Sequence, residues 1–104
     1  MNELDITAGE LAQRIGEVVI VDVREPYEWS AGHIEGSIHI PLAQLPARMN
    51  EIPRDRELVM LCRVGGRSAA AQQFLMRAGY ERVRNLVGGI IAWARECDPA
   101  VRVV

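Results

Sequence analysis

The sequence contains no lysine, because all 12 of its basic residues are arginine. Without a lysine amine, Schiff-base chemistry and phosphate binding by a P-loop lysine are both excluded. A Walker A loop is also excluded, since Leu61 stands where that motif needs a glycine and Arg67 stands where it needs the lysine. The sequence therefore predicts no nucleotide site in this region.

The chain also lacks the features of secreted, membrane-bound and metal-binding proteins. Two cysteines cannot form a disulfide framework, and with two histidines at scattered positions they make no metal site. No apolar run is long enough to span a bilayer, and the acidic start at residues 1–5 is followed by no signal region. A formal charge of −2 gives no support to nucleic-acid binding. We expect a cytoplasmic monomer without membrane contact, formed by one domain over residues 1–104.

Apolar runs typical of strands alternate along the chain with segments of helical composition. The β-branched run at residues 18–23 is typical of a strand covered on both faces. This alternation predicts an α/β sandwich with a mostly parallel sheet of four or five strands and helices on both faces. Strands are predicted at 18–23, 37–40, 58–61 and within 80–87. Helices are predicted for about two turns after the capping box at 7–10, from Pro26, at 41–49 with an interruption or a bend near Pro46, at 68–79 and at 90–96.

Cys62 follows the apolar run 58–61, where a buried strand passes into the helix predicted at 68–79. Ligands of parallel sheets collect at the carboxyl ends of strands. Unpaired amides and the dipole at the start of a helix attract an anion, so both lower the pKa of a nearby thiol. Arg63 and Arg67 add positive charge, and Gly65 with Gly66 lets the loop amides converge on the sulfur. The sequence predicts a nucleophilic thiolate.

Four segments of the chain together resemble the rhodanese, or sulfurtransferase, domain family over nearly the entire length. The resemblance implies a rhodanese-like three-layer sandwich that needs no cofactor. It also implies that Cys62 takes a sulfane sulfur from a donor such as thiosulfate, holds it as a persulfide and passes it to cyanide or a thiol. The segments are 22–29, 32–37 with Ile40 and Pro41, 62–68, and Gly88 and Gly89 with Trp93.

Within this resemblance the catalytic residue is Cys62, and the loop residues bind substrate. Arg67 is expected to bind an oxyanion of the donor or to support the loop, whereas Arg63 is equally consistent with a solvated surface residue. Val64, at the loop tip, is expected to face solvent and to help choose the partner. The Ser68 hydroxyl lies within possible reach of the sulfur, although bonding to its own helix backbone is the plainer interpretation. The predicted substrate-binding residues are Arg63, Val64, Gly65, Gly66, Arg67 and Ser68.

Four other polar residues receive structural interpretations. Asp22, at a strand end, is expected to accept backbone hydrogen bonds rather than to act as a general base. His33 is expected to fix the shape of its turn, and His39 has no discernible partner in the sequence. Cys97 is separated from Cys62 by a strand and a helix, so we expect a spectator thiol.

Two alternatives to sulfur transfer remain open. A phosphatase or an arsenate reductase uses a similar cysteine loop, but the phosphatases with a related fold have a loop one residue longer than the four residues between Cys62 and Arg67. A non-catalytic rhodanese-like binding module is the other alternative, because a fold alone does not establish chemistry. Such modules usually lack the cysteine. The partners expected for the enzyme are a small-molecule sulfur donor, a thiol or cyanide acceptor, and a sulfur-relay protein.

Overall fold

A computed structural model describes residues 3–104; the first two residues of the acidic segment 1–5 lie outside the described residues. Five parallel strands form one sheet in the order β1-β5-β4-β2-β3, which confirms the predicted α/β class. The sequence did not indicate β1, a strand of two residues that pairs with β5. The strands are β1 Asp5–Ile6, β2 Val19–Asp22, β3 Ile38–His39, β4 Leu58–Leu61 and β5 Val83–Leu86.

The helices connect these strands and carry the expected start signals. Thr7 and Glu10 form the predicted capping box, although the helix after it has five residues and is shorter than two turns. Pro26 occupies the first turn of the next helix, as its fixed φ favours. The helices are α1 Ala8–Ala12, α2 Pro26–Ala31, α3 Leu45–Arg48, α4 Gly66–Arg77 and α5 Gly89–Glu96. No helix within residues 3–104 is long and apolar enough to cross a membrane.

Two predicted helices differ in detail from the structure. The helix predicted at 41–49 is interrupted, which is one of the two expected forms: a 3-10 turn at Leu42–Gln44 leads into the short α3, and a second 3-10 turn follows at Met49–Glu51. Pro46 lies in the first turn of α3, where a proline starts a helix because its missing N–H is not needed there. The helix predicted at 68–79 begins earlier, at Gly66.

The central strand β4 is buried on both faces and places Cys62. Side chains alternate along a strand, so Val59 and Leu61 join one apolar cluster, whereas Leu58 and Met60 join the cluster on the other face. Cys62 continues this alternation and packs in the second cluster, which also contains Leu75 of α4. The register of β4 therefore directs the sulfur toward the face that α4 covers.

Candidate active site

The loop after β4 is fastened to the start of α5 through its carbonyl groups. The amide of Ile90 donates to the Cys62 carbonyl at 2.9 Å, and the amide of Ile91 donates to the Arg63 carbonyl at 3.3 Å. Gly89 lies against both carbonyls with a φ of +60°, and a Cβ at this position would collide with them. Two carbonyls are thus directed away from the sulfur, and the glycine pair 88–89 is part of the scaffold that shapes the loop.

The sulfur of Cys62 is buried but surrounded by hydrogen-bond donors. The residue is 1% exposed, the Gly65 amide lies 3.1 Å from Sγ, and the Ser68 hydroxyl lies 3.2 Å from it. Burial raises the pKa of the thiol, but hydrogen bonds from Ser68, Gly65 and Val64 outweigh it and hold the pKa below its ordinary value. Gly65 reaches this position with a φ of +118°, which favours glycine. The loop therefore favours a thiolate mainly through short-range hydrogen bonds.

Asn85, in β5, supports the same loop and was missed in the sequence. Its Nδ2 donates to the Gly65 carbonyl at 3.1 Å, and its Oδ1 accepts from the Ser68 hydroxyl at 2.6 Å. The plainer interpretation of Ser68 is therefore wrong, because its hydroxyl contacts Cys62 and Asn85 instead of capping its own helix. The sequence carried no signal for Asn85, which is one of several polar residues within the strand predicted at 80–87.

Arg67 forms a bidentate ion pair with Glu28, the second residue that the sequence interpretation missed. Nη1 and Nη2 lie 2.7 and 2.9 Å from the two carboxylate oxygens. Glu28 is 3% exposed, and hydrogen bonding to Arg67, opposed by burial, lowers the pKa of its carboxyl to about 2. Ionised Cys62 and Glu28 both raise the pKa of Arg67, so this guanidinium lies within electrostatic reach of the sulfur. Arg67 supports the loop with most of its charge already balanced.

The remaining predicted loop residues lie at the rim. Arg63 is exposed and its Nε donates to the Val104 carbonyl at 2.9 Å, which ties the loop to the carboxyl-terminal segment. Val64 is 59% exposed, as expected for a loop tip. Gly66 begins α4 with no atom near the position of a Cβ, so the space there does not require a glycine. The structure brings Gly65, Arg67 and Ser68 to the sulfur side. The side chains of Arg63 and Val64 lie at the rim, although the Val64 backbone also contributes a hydrogen bond to the sulfur.

The other polar residues hold the segment between β2 and β3. Asp22 accepts a bond from the backbone N–H of Arg24, as predicted, and pairs with its guanidinium at 2.8 Å, with both side chains fully buried. His33 contacts the Trp29 carbonyl through Nδ1 at 2.9 Å. His39 does have a partner, contrary to the expectation: its Nε2 lies 2.8 Å from the Arg24 carbonyl, and its ring stacks on Trp29. These contacts fix α2, which carries Glu28 to the site.

The second cysteine lies on the opposite side of the sheet. Cys97 packs against the cluster that contains Val59 and Leu61, whereas Cys62 belongs to the other cluster. Burial, with Glu96 and Asp98 nearby, raises the pKa of the Cys97 thiol. Both cysteines are free. In the part of the chain from residue 3 onward, no group of three or more histidine, cysteine or acidic side chains is arranged to hold a metal ion.

Comparison with known proteins identifies a family for nearly the entire chain. Residues 7–96 match the model of the rhodanese-like domain. A sulfurtransferase of Allochromatium vinosum is 46% identical over 104 residues, covering 97% of this chain and 95% of the relative. The crystal structure of a rhodanese-related protein from Thermoplasma volcanium superposes with a TM-score of 0.85 at 36% identity, covering 96% of each chain.

The fold also occurs as part of a longer protein. The structure of an NAD-dependent persulfide reductase from A. fulgidus is 42% identical where it aligns, with a TM-score of 0.72. That alignment covers 86% of this chain but 15% of the reductase chain. The rhodanese-like fold of this chain is thus found both alone and joined to other domains.

Proposed function

Because the chain belongs to the rhodanese-like domain family, we propose that it is a sulfurtransferase that carries a sulfane sulfur on Cys62 as a persulfide. One observation carries the proposal: the buried Sγ accepts from the Gly65 amide at 3.1 Å and from the Ser68 hydroxyl at 3.2 Å, in a loop that lowers the pKa of the thiol. A buried cysteine without such donors would stay neutral and unreactive. The sulfurtransferase of Allochromatium vinosum supports the same reaction class.

Sulfur transfer then follows as two displacements at sulfur. The Cys62 thiolate attacks the outer sulfur of thiosulfate, the S–S bond of the donor breaks, and its electron pair leaves with sulfite. Cyanide or a thiolate then attacks the outer sulfur of the persulfide, and the electron pair of that S–S bond returns to Sγ. Neither displacement needs a general base when its nucleophile is an anion, which is the Cys62 thiolate in the first step and cyanide or a thiolate in the second. Arg67, although paired with Glu28, is a cation within electrostatic reach of the sulfur that an anionic donor would approach.

The loop length favours sulfur transfer over hydrolysis of a phosphate ester. Four residues separate Cys62 from Arg67, and the related phosphatases use a loop one residue longer. A smaller ring of amides suits one sulfur atom rather than a tetrahedral group with three oxygens. We therefore retain a phosphatase or arsenate reductase, and a non-catalytic binding module, only as outcomes that the test distinguishes.

The proposed partners follow from the exposed rim and from the relatives. Val64 is exposed beside the site, so a protein that delivers or accepts sulfur has an apolar contact there. The persulfide reductase of A. fulgidus, in which this fold is one part of a larger chain, supports such a relay. A reactive free thiol is kept reduced in the cytoplasm, which is the compartment we propose.

The test is the intact mass of the protein after incubation with thiosulfate under non-reducing conditions. We expect wild type to gain one sulfur atom that cyanide removes with formation of thiocyanate. Cys62→Ser should gain none, whereas Cys97→Ser, the matched control, should gain it as wild type does. Sulfur addition to Cys62→Ser would contradict the assignment.

Two further assays separate the alternatives. Release of phosphate from p-nitrophenyl phosphate, lost in Cys62→Ser, would replace sulfur transfer by phosphatase chemistry. Absence of a mass gain with thiosulfate and with glutathione persulfide, together with slow alkylation of Cys62, would leave the binding module and overturn the proposal.

A further inference from the structure

Asn85 joins the two groups that donate hydrogen bonds to the sulfur. Gly65 and Ser68 both contact Sγ of Cys62, and Asn85 bonds to each of them on the side away from the sulfur. Asn85 lies in β5 and is half-buried, whereas its partners lie in the loop and in the first turn of α4. Asn85 therefore fixes the relative position of both donors.

The Ser68 hydroxyl has a single hydrogen but two acceptors within reach. Oδ1 of Asn85 lies 2.6 Å away, at the short end of the range for O–H···O bonds, and Sγ of Cys62 lies 3.2 Å away. The side-chain amide of Asn85 is held in this orientation, because a flip would break the hydrogen bond from its Nδ2 to the Gly65 carbonyl at 3.1 Å. The carbonyl oxygen of Asn85 is therefore held as a permanent competitor for the hydrogen of Ser68.

The protonation state of the sulfur decides this competition. A neutral thiol donates its own hydrogen to the hydroxyl oxygen of Ser68, whose hydrogen then goes to Asn85. A thiolate has no hydrogen to give and is the stronger acceptor, because hydrogen bonds to an ionised group are roughly twice as strong as neutral ones. The hydroxyl hydrogen then rotates to Sγ.

We propose that Asn85 is a positioning residue that holds the hydroxyl hydrogen of Ser68 while the sulfur is neutral and releases it when a thiolate forms. The inference rests on the proposed function in one respect. The Cys62 sulfur is neutral in the persulfide, and it regains a charge when the acceptor takes the outer sulfur and the electron pair of the S–S bond returns to Sγ. Rotation of the Ser68 hydroxyl supplies a hydrogen bond to the leaving sulfur at that moment.

The charged groups around the sulfur do not replace this arrangement. From α2, Glu28 pairs with Arg67 of α4, and Arg63 of the loop bonds to the Val104 carbonyl. From β5, the charged neighbour Arg84 pairs with Glu57. Asn85 is uncharged, so it acts on the sulfur through Ser68 and not through a field of its own.

The test is the pH profile of alkylation by iodoacetamide in a double-mutant cycle, with Cys97→Ser as the common background so that one thiol is followed. Asn85→Leu keeps the size of the side chain and removes the competing acceptor. We expect its alkylation rate below the thiol pKa to rise about two- to tenfold, the range of one net hydrogen bond. Ser68→Ala should lower the rate by a similar factor. Asn85→Leu should give no rise in the Ser68→Ala background, where only the loss of its donor to the Gly65 carbonyl remains.

An isosteric variant, Asn85→Asp, keeps the test informative if Asn85→Leu does not fold. Its carboxylate binds the hydroxyl hydrogen more tightly, so alkylation should be slower than in wild type, and the slowing should shrink when Ser68 is replaced by alanine. The inference is overturned if either Asn85 variant changes the rate by the same factor with and without Ser68. The inference is also overturned if Asn85→Leu slows alkylation of Cys62.

Alkylation needs no sulfur donor, so this experiment does not depend on the mass assay. A protein that gains no sulfur from any donor would refute the proposed function, yet its alkylation cycle would still measure the coupling of Asn85 to Ser68. Conversely, a mass gain in wild type without coupling in the cycle would refute only the role of Asn85.

Discussion

The ion pair between Glu28 and Arg67 should stabilise the fold while it lowers the reactivity of the Cys62 sulfur. Glu28→Gln keeps the side-chain size but replaces one carboxylate oxygen by an amide nitrogen, which accepts no hydrogen bond. Arg67 then loses one of its two bonds, at 2.7 and 2.9 Å, together with the opposing charge. Because the freed charge lies near Cys62, we expect Glu28→Gln to be less stable than wild type but more rapidly alkylated at Cys62.

Burial and pKa together set the size of the stability loss. Glu28 is 3% exposed, and hydrogen bonding to Arg67, opposed by burial, lowers the pKa of its carboxyl from 4.5 to about 2. At about 1.4 kcal/mol per pKa unit, this shift of about 2.5 units sets an upper limit of about 3.5 kcal/mol. The Arg67 side chain is 36% exposed, and solvent screening reduces the expected loss to about 2 kcal/mol. In a domain of this size that lowers the melting temperature by about 8–16 °C.

The pH dependence of the loss has a definite sign. A carboxyl whose pKa is lowered on folding adds stability that is fully present above its unfolded value of 4.5 and is lost as the pH falls through about 2. The difference in melting temperature between wild type and Glu28→Gln should therefore be constant near neutral pH. It should shrink as the pH falls from about 4.5 towards 2.

Glu51→Gln is the matched control for this prediction. Glu51 also accepts two bonds from one arginine, Arg48, at 2.8 and 3.0 Å, but its side chain is 45% exposed, against 4% for Glu28. Circular dichroism melting at several pH values, with alkylation rates at neutral pH, measures both effects. Equal losses of melting temperature in the two variants, or slower alkylation of Cys62 in Glu28→Gln, would refute the reasoning.

Three further predictions concern the scaffold and the two thiols. In urea denaturation, Gly89→Ala should lower the free energy of unfolding by more than about 3 kcal/mol, because its Cβ would collide with loop carbonyls at a positive φ. Gly9→Ala, at an exposed position of α1 with open space around it, should raise the free energy of unfolding by about 0.5–1 kcal/mol. Similar values for the two variants would contradict this prediction. Mass-mapped alkylation should label Cys62 at lower pH than Cys97, since their thiol pKa values shift in opposite directions, and the reverse order would disprove the assignment. Arg24→Leu should cost about 3–5 kcal/mol in the same denaturation assay by leaving a buried carboxylate unpaired, and a cost below about 1 kcal/mol would count against it.

The sequence predicted the parts of the fold that depend on local pattern. The run 58–61 is buried at every position, and the β-branched run 18–23 contains β2, because strands covered on both faces are rich in apolar residues. The turn of glycines and the helix after Cys62 are also local signals. From these the position of the cysteine at the carboxyl end of β4 followed directly.

The partners within the site could not be predicted, because they come from distant parts of the chain. Glu28 is 39 residues from Arg67, and Asn85 is 17 residues from Ser68. Their contacts depend on the strand order, which places β5 beside β4, and on the buried pair of Asp22 and Arg24 that fixes α2. In the sequence alone, nothing connects Glu28 with Arg67 or Asn85 with Ser68.

The arrangement of charge around the sulfur explains why hydrogen bonds, rather than arginines, define this site. Arg67 is balanced by Glu28, and Arg63 donates its Nε to the Val104 carbonyl, so neither guanidinium is directed at the sulfur without a competing partner. A phosphate group is bound best by a guanidinium that is free to form a bidentate contact. A single sulfur atom needs only donors at close range, which Gly65 and Ser68 provide. The pairing of Arg67 with Glu28 therefore supports the proposed thiolate chemistry over the binding of a phosphate group.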